Sequence, residues 1–547
     1  MITDLKISPA AKREYYRKGY WTSDTIADVW ARQARAAHDR LYVVDDHGTA
    51  LTYGQCDDMA SRIAGWLDDA GVRAGDVVTV QLPTWAEFCP LYVAVAKVGA
   101  VLHPLARNYS VHDLAYAMNL VDSRALICPV AHHTTNYEVQ AKELLSQVPT
   151  LDAGRVLLVD KVGDELPHAF DTMRRVLAGR APLRETHPVS SDSVACILST
   201  SGTTGTPKQV LLTHNNVLFS ERAFVAGLGL TADDVMFMPS PLNHATGLFH
   251  GLVSPMILGG STVLQQDFDA RRAVELVNAT GATWSMGATP FVHDILGALE
   301  ADGTRLETLR LFLSGGAPLP APLVERAAAH GLTLCECYGS TESCPHAYVP
   351  PEQCAAWGGR WSGRALPGIE VRVVDEQHRE VPRGMLGEEA SRGPQVFVGY
   401  LGAPEETARV LDNDGWFYSG DLARMDDEGR IHICGRKKEI IIRGGENISM
   451  REVCEAVLGW HDVIDHAVVG VTDERMGERV CLFAVPRPGL GHGLRLDDLR
   501  AYLAEKGVSK RLWPERVEAI DRIPRTPTGK VRRGVLAREL ERRDAAR

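Results

Sequence analysis

Between about residue 25 and residue 330, short runs of β-branched and aliphatic residues alternate with stretches whose apolar positions recur at helical spacing. This alternation is typical of βαβ units, so the sequence predicts parallel sheets covered by helices on both faces. Strands are predicted at 76–82, 125–128, 155–159 and 194–198, and a helix at 85–98.

The pattern changes beyond residue 360. Segments 369–374 and 429–434 alternate polar and apolar residues between Gly- and Asp-rich turns, which predicts a small antiparallel sheet or barrel. The last hundred or so residues return to an α+β pattern and end in an Arg-rich helix at 534–543. The predicted fold class is therefore α/β, with a large N-terminal domain (1–436) of parallel α/β subdomains and a small β-barrel-like subdomain. A small α+β C-terminal domain (437–547) follows.

Length and charge narrow the range of partners. The chain has 547 residues, of which 45% are hydrophobic and 24% charged, with a formal net charge of −11. This composition is that of a globular protein with more than one folding unit. Because proteins that bind nucleic acid neutralise phosphates with a basic surface, the acidic excess argues against nucleic acid as a partner.

The cysteines and the N-terminus indicate the compartment. The eleven cysteines are scattered and form no C-x-x-C pair, so they predict reduced thiols rather than a disulfide framework or a zinc site. The first 18 residues have no apolar core of the kind that secretory signals carry. We therefore expect a cytoplasmic protein.

One long segment, 235–266, contains no Asp, Glu, Lys or Arg. Its length would permit a membrane span. Prolines, glycines and two histidines interrupt it, however, and no basic flank marks an orientation. A buried helix that runs into a buried strand is the better interpretation, and no transmembrane segment is expected.

The strongest local signal is the sequence Ser199-Thr-Ser-Gly-Thr-Thr-Gly-Thr-Pro-Lys208, directly after a predicted strand. Its backbone N–H groups, its hydroxyls and its lysine can converge on phosphate oxygens. It is not a Walker A loop, because the G-x-x-x-x-G-K-[ST] spacing is absent. A flexible linker is the alternative, but linkers seldom follow a buried strand without a break.

Further motifs occur in the same order as in one enzyme family. They are Pro241-Leu-Asn-His244, Ser314-Gly-Gly-Ala-Pro318, Tyr338-Gly-Ser-Thr-Glu342, 387–400, Tyr418-Ser-Gly-Asp421, 435–439, 444–447 and Pro524-Arg-Thr-Pro-Thr-Gly-Lys530. The chain thereby resembles the AMP-forming acid–thiol ligases of the adenylate-forming superfamily, which includes acyl-CoA synthetases, adenylation enzymes and luciferase. The resemblance implies ATP, Mg²⁺ and coenzyme A, or the phosphopantetheine of a carrier protein, as cofactors and substrates.

The resemblance also implies roles for individual residues. The expected catalytic residues are Lys530, Thr203, His244 and Glu342, with Glu342 as the Mg²⁺ ligand. The expected nucleotide and thiol contacts are Thr200, Ser201, Gly202, Thr204, Gly205, Thr206, Lys208, Gly315, Gly316, Ala317, Pro318, Tyr338, Gly339, Ser340, Thr341, Asp421, Arg436, Lys438, Gly444 and Gly445. Read without the family, several of these motifs could be ordinary turns or helix caps.

Family members rotate the small C-terminal domain between two half-reactions. By position the hinge is Lys438, and Gly444 and Gly445 match a loop that lines the thiol tunnel. Two positions depart from the common pattern: Ser419 replaces a threonine, and Gln209 replaces a glycine after the loop lysine.

The uncharged segment then corresponds to the acyl side of the pocket, with His244, Ala245, Thr246, Gly287, Ala288 and Gly339 as its expected lining. An amino-acid substrate would need a carboxylate for its ammonium group, and 235–266 has none. The closest resemblance is to short- and medium-chain acyl-CoA synthetases and cyclohexanecarboxylate–CoA ligases. We therefore expect a short- or medium-chain aliphatic or alicyclic acid.

The thiol acceptor is left open by the sequence. Arg443, Lys510 and Arg511 are candidate contacts for the 3′-phosphate of coenzyme A. A stand-alone adenylating enzyme that loads an acyl or aryl acid onto a carrier protein is the alternative. Charge is divided unevenly at the expected hinge, because residues 437–547 carry a net charge of +4 and the first 436 carry −15.

Overall fold

The computed structural model describes residues 2, 5–161, 168–200, 208–316, 319–443, 446–473, 475–490, 493–526 and 530–545. In chain order the strands are β1 Leu41–Asp45, β2 Ala50–Thr52, β3 Val77–Val80, β4 Val101–Pro104, β5 Ser123–Pro129, β6 Ala131–His132, β7 Thr135–Asn136, β8 Val156–Val159, β9 Asp171–Thr172, β10 Val194–Thr200, β11 Lys208–Thr213, β12 Val235–Met238, β13 Ser261–Leu264, β14 Trp284–Gly287, β15 Leu311–Gly315, β16 Thr333–Tyr338, β17 Ala347–Tyr348, β18 Gly363–Ala365, β19 Glu370–Val374, β20 Gly387–Arg392, β21 Phe417–Met425, β22 Arg430–Arg436, β23 Ile440–Arg443, β24 Glu446–Ser449, β25 Val463–Asp473, β26 Gly477–Pro486 and β27 Arg516–Ala519.

The α-helices are α1 Pro9–Arg17, α2 Ile26–Ala36, α3 Tyr53–Asp69, α4 Phe88–Lys97, α5 Val111–Leu120, α6 Tyr137–Leu144, α7 Met173–Gly179, α8 His214–Gly227, α9 Ser254–Leu258, α10 Ala270–Thr280, α11 Thr289–Asp302, α12 Ala321–Ala329, α13 Cys354–Trp357, α14 Pro404–Val410, α15 Met450–Val457, α16 Leu496–Glu505 and α17 Arg533–Ala545. A π-helix covers Thr246–Val253. Short 3₁₀ turns occupy Ala153–Arg155, Pro351–Gln353, Lys437–Glu439 and Lys510–Leu512.

The predicted strands at 76–82, 125–128, 155–159 and 194–198 are observed as β3, β5, β8 and β10, and the predicted helix at 85–98 as α4. These four strands belong to a first sheet with the order β11-β10-β4-β3-β5-β8-β9. The sheet is parallel except for β11, which returns antiparallel to β10. Buried aliphatic residues on its strands explain the unbroken apolar runs, because both faces are covered.

The second sheet has the order β19-β20-β21-β22-β18-β17-β16-β15-β14-β12-β13-β1-β2. Its strands run parallel from β16 to β1 and antiparallel beyond both ends of that stretch. The predicted antiparallel strands at 369–374 and 429–434 are β19 and β22, and they continue this sheet through β17 and β18. One apolar core joins the two large sheets and includes the buried side chains of Trp30, Trp66, Phe88, Phe237 and Phe249.

A third sheet lies in the C-terminal part, with the order β24-β23-β26-β25 and β27 parallel to β26. Its strand β26 alternates between two apolar clusters. Leu482 and Ala484 face α15 and α16, whereas Cys481 and Phe483 face α17. Because side chains alternate across a strand, this sheet has a core on each face and contributes little to the core of the large sheets.

Segment 235–266 has the predicted arrangement of a buried helix that runs into a buried strand. The π-helix and α9 form a continuous helical stretch over 246–258, and β13 follows. A further strand, β12, precedes the helix. Among the described residues, every helix is too short or too polar to span a lipid bilayer.

Because the third sheet has its own two-sided core, we expect residues 437–547 to fold without the rest of the chain. The fragment should show a single cooperative thermal transition by circular dichroism. A matched fragment that begins at residue 452 lacks Ile441 and Ile448, which are both fully buried, and should lose that transition. A non-cooperative profile for 437–547 would show that the expected boundary at residue 436 is misplaced.

Candidate functional site

Three neighbouring parallel strands end at one edge of the second sheet. Gly287 lies opposite Ser314, and Gly315 lies opposite Cys337, so the chain leaves β14, β15 and β16 at one level. Ligand sites in α/β proteins form at such carboxyl ends. The structure thereby brings together three segments that the sequence assigned separately, which are the strand ends at 287–288, 315–316 and 338–342.

Two of these turns require glycine. Gly316 adopts the left-handed conformation, with φ of +78°. Gly339 lies so close to Pro345 that an added Cβ would be 2.8 Å from the proline nitrogen. Ser340 then closes a tight turn with Ser343, since each accepts a hydrogen bond from the backbone N–H of the other. Ala317 and Pro318 lie outside the described residues.

Asp421 and Arg436 face each other on β21 and β22 as a register pair, with Oδ1 of Asp421 2.8 Å from Nε of Arg436. The other carboxylate oxygen accepts a hydrogen bond of 2.7 Å from the Tyr338 hydroxyl. Burial raises the pKa of Asp421, against the opposing effects of Arg436 and Tyr338. Oδ1 is buried and lacks an aligned hydrogen bond, so it has acceptor capacity left for a ligand hydroxyl.

Lys208 and Glu342 are linked through Tyr400. The Lys208 ammonium lies 4.6 Å above the centre of the Tyr400 ring and 2.9 Å from a carboxylate oxygen of Glu406. The Tyr400 hydroxyl donates a hydrogen bond of 2.8 Å to Glu342. Lys208, which is expected at the phosphates, and Glu342, the expected metal ligand, therefore both contact Tyr400.

The strands β10 and β11 form the base of the hydroxyl-rich loop. Thr200 pairs with Lys208, and Ser199 pairs with Gln209. The Ser199 hydroxyl donates a hydrogen bond of 2.8 Å to the side-chain oxygen of the buried Gln209, so glutamine closes this base where glycine is more usual. The predicted contacts Ser201, Gly202, Thr203, Thr204, Gly205 and Thr206 lie outside the described residues.

The C-terminal part brings Lys530 to the site. A Cβ atom placed on Gly316 would lie 3.7 Å from Cε of Lys530. Solvent reaches the lysine side chain, yet burial by surrounding protein and the nearby Arg436 guanidinium lower its pKa. The carboxylates of Asp421 and Glu342 oppose that effect, which places Lys530 among the charged groups of the expected nucleotide site.

The C-terminal part is held in this position by contacts next to the expected hinge. The Ser449 hydroxyl donates a hydrogen bond of 2.5 Å to the carbonyl oxygen of Cys434. Gly435 has φ of +146°, and an added Cβ would lie 2.4 Å from Oγ of Ser449. Burial raises the pKa of Glu336 on β16 to about 7, and Arg451 on α15 counteracts this. Lys438 lies in the 3₁₀ turn after β22, while Gly444 and Gly445 lie outside the described residues.

His244 lies on the acyl side, directly before the π-helix. Its Nδ1 accepts a hydrogen bond of 3.4 Å from the backbone N–H of Thr246. Burial and the nearby Lys530 charge lower the pKa of His244 to about 4. The imidazole is therefore neutral at physiological pH and electrostatically coupled to the lysine from the C-terminal part.

The side chain of Phe291 narrows the space that the sequence predicts over Gly287 and Ala288. A Cβ on Gly287 would lie 2.7 Å from Cδ2 of Phe291, the third residue of α11. The Phe291 ring packs edge-on against Phe268, with centroids 4.7 Å apart. These aromatic rings therefore lie next to the residues expected to line the acyl pocket at the end of β14.

Tyr400 is a site residue that the sequence reasoning missed. It ended a segment that matched the family, but nothing in the local pattern identified its partners, which come from positions 208 and 342. A separate observation concerns Arg443, an expected contact for the 3′-phosphate of coenzyme A. Its guanidinium forms an ion pair with Glu515 and donates to the Arg511 carbonyl, so in this arrangement it supports the C-terminal sheet.

A second group of potential metal ligands lies away from this site. His132, His133 and Asp267 have ligand atoms within 4.8 Å of one another. Arg107 already occupies two of them, with Nη1 2.9 Å from Nε2 of His132 and Nη2 against Asp267. Glu342 therefore remains the stronger candidate metal ligand among the described residues.

Comparison with known proteins identifies the class. The sequence profile of the AMP-binding enzyme family matches residues 30–401, and that of the AMP-binding enzyme C-terminal domain matches residues 452–530. The chain belongs to the AMP-binding enzyme family. It is therefore an adenylate-forming acid–thiol ligase with an ATP site, as the sequence analysis expected.

Individual relatives cover nearly the whole chain. A medium-chain fatty-acid–CoA ligase of Escherichia coli K12 is 40% identical over 543 residues, which is 99% of this chain and 95% of the relative. The crystal structure of ATP-bound MatB from Rhodopseudomonas palustris is 29% identical, with a TM-score of 0.83 over 94% of this chain and 98% of its own.

The apo form of the same MatB protein superimposes less well. Its TM-score is 0.74, at 28% identity and over the same shares of the two chains. The present arrangement is thus more similar to that of the ATP-bound protein.

We expect the imidazole of His244 to titrate with a midpoint near pH 4, because burial and Lys530 disfavour its charged form. Nitrogen-15 spectra of labelled histidine, assigned with His244→Asn, would measure this. The unfolded chain takes up the same proton near pH 6.5, so this residue lowers folding stability progressively as the pH falls from 6.5 towards 4. A midpoint at 6 or above would contradict the proposed coupling to Lys530.

Proposed function

We propose that this enzyme activates a short- or medium-chain aliphatic or alicyclic carboxylic acid with ATP and transfers the acyl group to coenzyme A. The observation that carries the proposal is the position of Lys530 beside Gly316. There its charge interacts with His244 and with the charged groups of Asp421, Arg436 and Glu342. In the first half-reaction a carboxylate oxygen attacks the α-phosphorus and pyrophosphate leaves. In the second, the thiol attacks the acyl carbon and AMP leaves.

The preference for an uncharged acyl tail is supported by the acyl side of the pocket. Segment 235–266 is free of charged residues, and the buried Glu221 behind it already contacts His250 and Ser254. No described carboxylate in this segment is therefore available for a substrate ammonium group. The E. coli relative is named for medium-chain fatty acids, which supports the same choice.

Each charged residue has a proposed role in adenylate formation. Asp421 accepts hydrogen bonds from the ribose hydroxyls through Oδ1, which faces Arg436 and has acceptor capacity left, and Tyr338 offers its ring to the adenine. Lys208 contacts the outer phosphates together with the hydroxyls of the 200–206 loop. Lys530 bridges the acid carboxylate and the α-phosphate, where negative charge accumulates during in-line displacement.

Glu342 is the proposed ligand of Mg²⁺. Its carboxylate is a hard oxygen donor, and its hydrogen bond from Tyr400, whose ring also packs against Lys208, supports a position near the phosphates. A bound Mg²⁺ would neutralise phosphate charge. The protein groups around it hold the nucleotide and orient the carboxylate of the acid.

The second half-reaction requires a different arrangement of the two domains, 1–436 and 437–547. We place the hinge at Lys438, directly after the Asp421–Arg436 pair, and assign Gly444 and Gly445 to the wall of the thiol tunnel. Arg443 is engaged by Glu515 and Arg511 by Glu452, so Lys510 is the remaining proposed contact for the 3′-phosphate. The eleven cysteines, none of which is disulfide-bonded, support a cytoplasmic location, and the name of the E. coli relative supports a role in fatty acid metabolism.

Release of pyrophosphate should be highest for unbranched C6–C10 or alicyclic acids when a panel of C2–C12, cyclic and aromatic acids is compared, since the pocket is apolar and bordered by Phe291. Coupled measurement of AMP in the presence of coenzyme A or a phosphopantetheinyl carrier protein identifies the acceptor. Turnover of aromatic acids alone would refute the assignment of the acid. Thioester formation only on the carrier protein would establish the alternative acceptor.

Lys530→Ala should reduce ATP–pyrophosphate exchange at least about a hundredfold, because the cation that bridges the two anions is removed. It should leave thioester formation from preformed acyl adenylate within about threefold of the unchanged enzyme, since Lys530 has left the site by then.

Arg522→Ala is the matched control, because it removes an exposed positive charge from the same domain. Both half-reactions should be retained in this variant. Equal losses of the two half-reactions in Lys530→Ala would contradict the role assigned to this lysine.

A further inference from the structure

A buried polar cluster lies behind the acyl side of the site and is not used by any step above. Glu221 on α8 is fully buried, as are His250 on the π-helix and Ser254 at the start of α9. The carboxylate oxygen Oε2 accepts a hydrogen bond of 2.5 Å from the Ser254 hydroxyl and lies 2.8 Å from Nδ1 of His250. A carboxylate this deep in the core is costly unless it is hydrogen-bonded, so the three groups depend on one another.

The helix held by Glu221 is unusual and begins two residues after His244. Eight consecutive residues, Thr246–Val253, are π-helical, a conformation that is rare beyond single turns and frequent at functional sites. The backbone N–H of Leu248 donates a hydrogen bond of 2.9 Å to the carbonyl of His244. The position of His244 therefore depends on where this helix is held.

Two glycines let the π-helix pack closely against the segment before it. A Cβ on Gly247 would lie 2.1 Å from the carbonyl oxygen of Pro241, and one on Gly251 would lie 2.9 Å from Cγ of the Met238 side chain. This close packing and the Glu221 hydrogen bonds both constrain the position of the helix. Loss of the hydrogen bonds would release one of these two constraints.

The same helix α8 also reaches the nucleotide side of the site. Ser220, the neighbour of Glu221, lies within hydrogen-bonding reach of the thiol of Cys344, two residues beyond Glu342. Burial and the Glu221 charge raise the pKa of that thiol to about 12, so it is a neutral partner. Helix α8 therefore contacts the segments that carry His244 and Glu342.

We propose that Glu221, His250 and Ser254 form a positioning cluster, which orients the π-helix so that His244 meets the carboxylate of the acid. None of the three touches the substrate in this role, and Glu221 acts on the reaction only through the helix. The inference rests on the proposed function, because it assigns His244 to the acid carboxylate. It predicts that loss of the cluster weakens acid binding more than ATP binding.

The test compares His250→Leu, which removes the hydrogen bond to Glu221, with His250→Asn, which retains a donor near the position of Nδ1. Steady-state kinetics would be measured with the best acid of the panel, with the KM values for acid and ATP determined separately. In His250→Leu the KM for the acid should rise about tenfold while the KM for ATP changes less than about twofold, since one charge-assisted hydrogen bond is lost. His250→Asn should recover most of the loss.

His214→Leu is the control for a general loss of stability. His214 is buried on the same α8 helix and accepts a hydrogen bond from the backbone N–H of Ile26, away from His244. It should lower the thermal midpoint without changing the KM for the acid. Thioester formation from preformed acyl adenylate should be unaffected in the His250 variants, because His244 acts before that step.

Three results would overturn the proposal. They are an unchanged acid KM in His250→Leu, an equal rise of both KM values, or a rise in His214→Leu that matches the rise in His250→Leu. If the unchanged enzyme turns over no acid of the panel, the proposed function itself fails and this inference fails with it. An active enzyme with unaltered His250 variants refutes only the positioning cluster.

Discussion

Two groups of like charge must meet in this enzyme, because a carboxylate has to approach the phosphates of ATP closely enough to attack one of them. The Coulomb repulsion between them is strong in a site that excludes water, so positive charge must arrive with the reactants. The sequence divides its charge accordingly, with −15 on the first 436 residues and +4 on the remainder. Lys530 comes from the basic part and lies beside Gly316, while the acidic part contributes the cations Arg436 and Lys208 to the candidate site.

Two glycines lie where the C-terminal part approaches the rest of the chain, one beside Lys530 and one beside Ser449. Gly316 has no side chain between its backbone and the Lys530 methylenes, and its left-handed φ lets the chain turn away at that point. At Gly435, where the Ser449 hydroxyl donates to the Cys434 carbonyl, an added Cβ would lie 2.4 Å from Oγ of Ser449. A side chain at Gly435 would therefore displace Ser449, whereas a Cβ on Gly316 would make an ordinary van der Waals contact with Lys530 and is opposed by the left-handed φ of that residue.

Local sequence patterns predicted the features that depend on neighbours along the chain. The strands β3, β5, β8 and β10 follow from apolar runs, and the order of motifs indicated the class of enzyme. Contacts between distant segments could not be obtained in this way. The sequence did not reveal that Tyr400 joins Lys208 to Glu342, that the antiparallel strands continue the parallel sheet, or that eight residues after His244 form a π-helix. Each of these depends on tertiary packing, which overrides local preference.

The connection between β11 and α8 indicates how the two halves of the site are kept in a constant relation. Thr213 ends the strand and caps the helix in a capping box with Asn216, so no loop separates the strand that starts at Lys208 from the helix that carries Glu221. A displacement of this strand would therefore also move helix α8, which carries Glu221. Because Ser220 also interacts with Cys344 near Glu342, helix α8 and the strand before it connect the segments that carry Lys208, Glu342 and His244. A connection of this kind keeps the supporting residues of a site in a constant geometry.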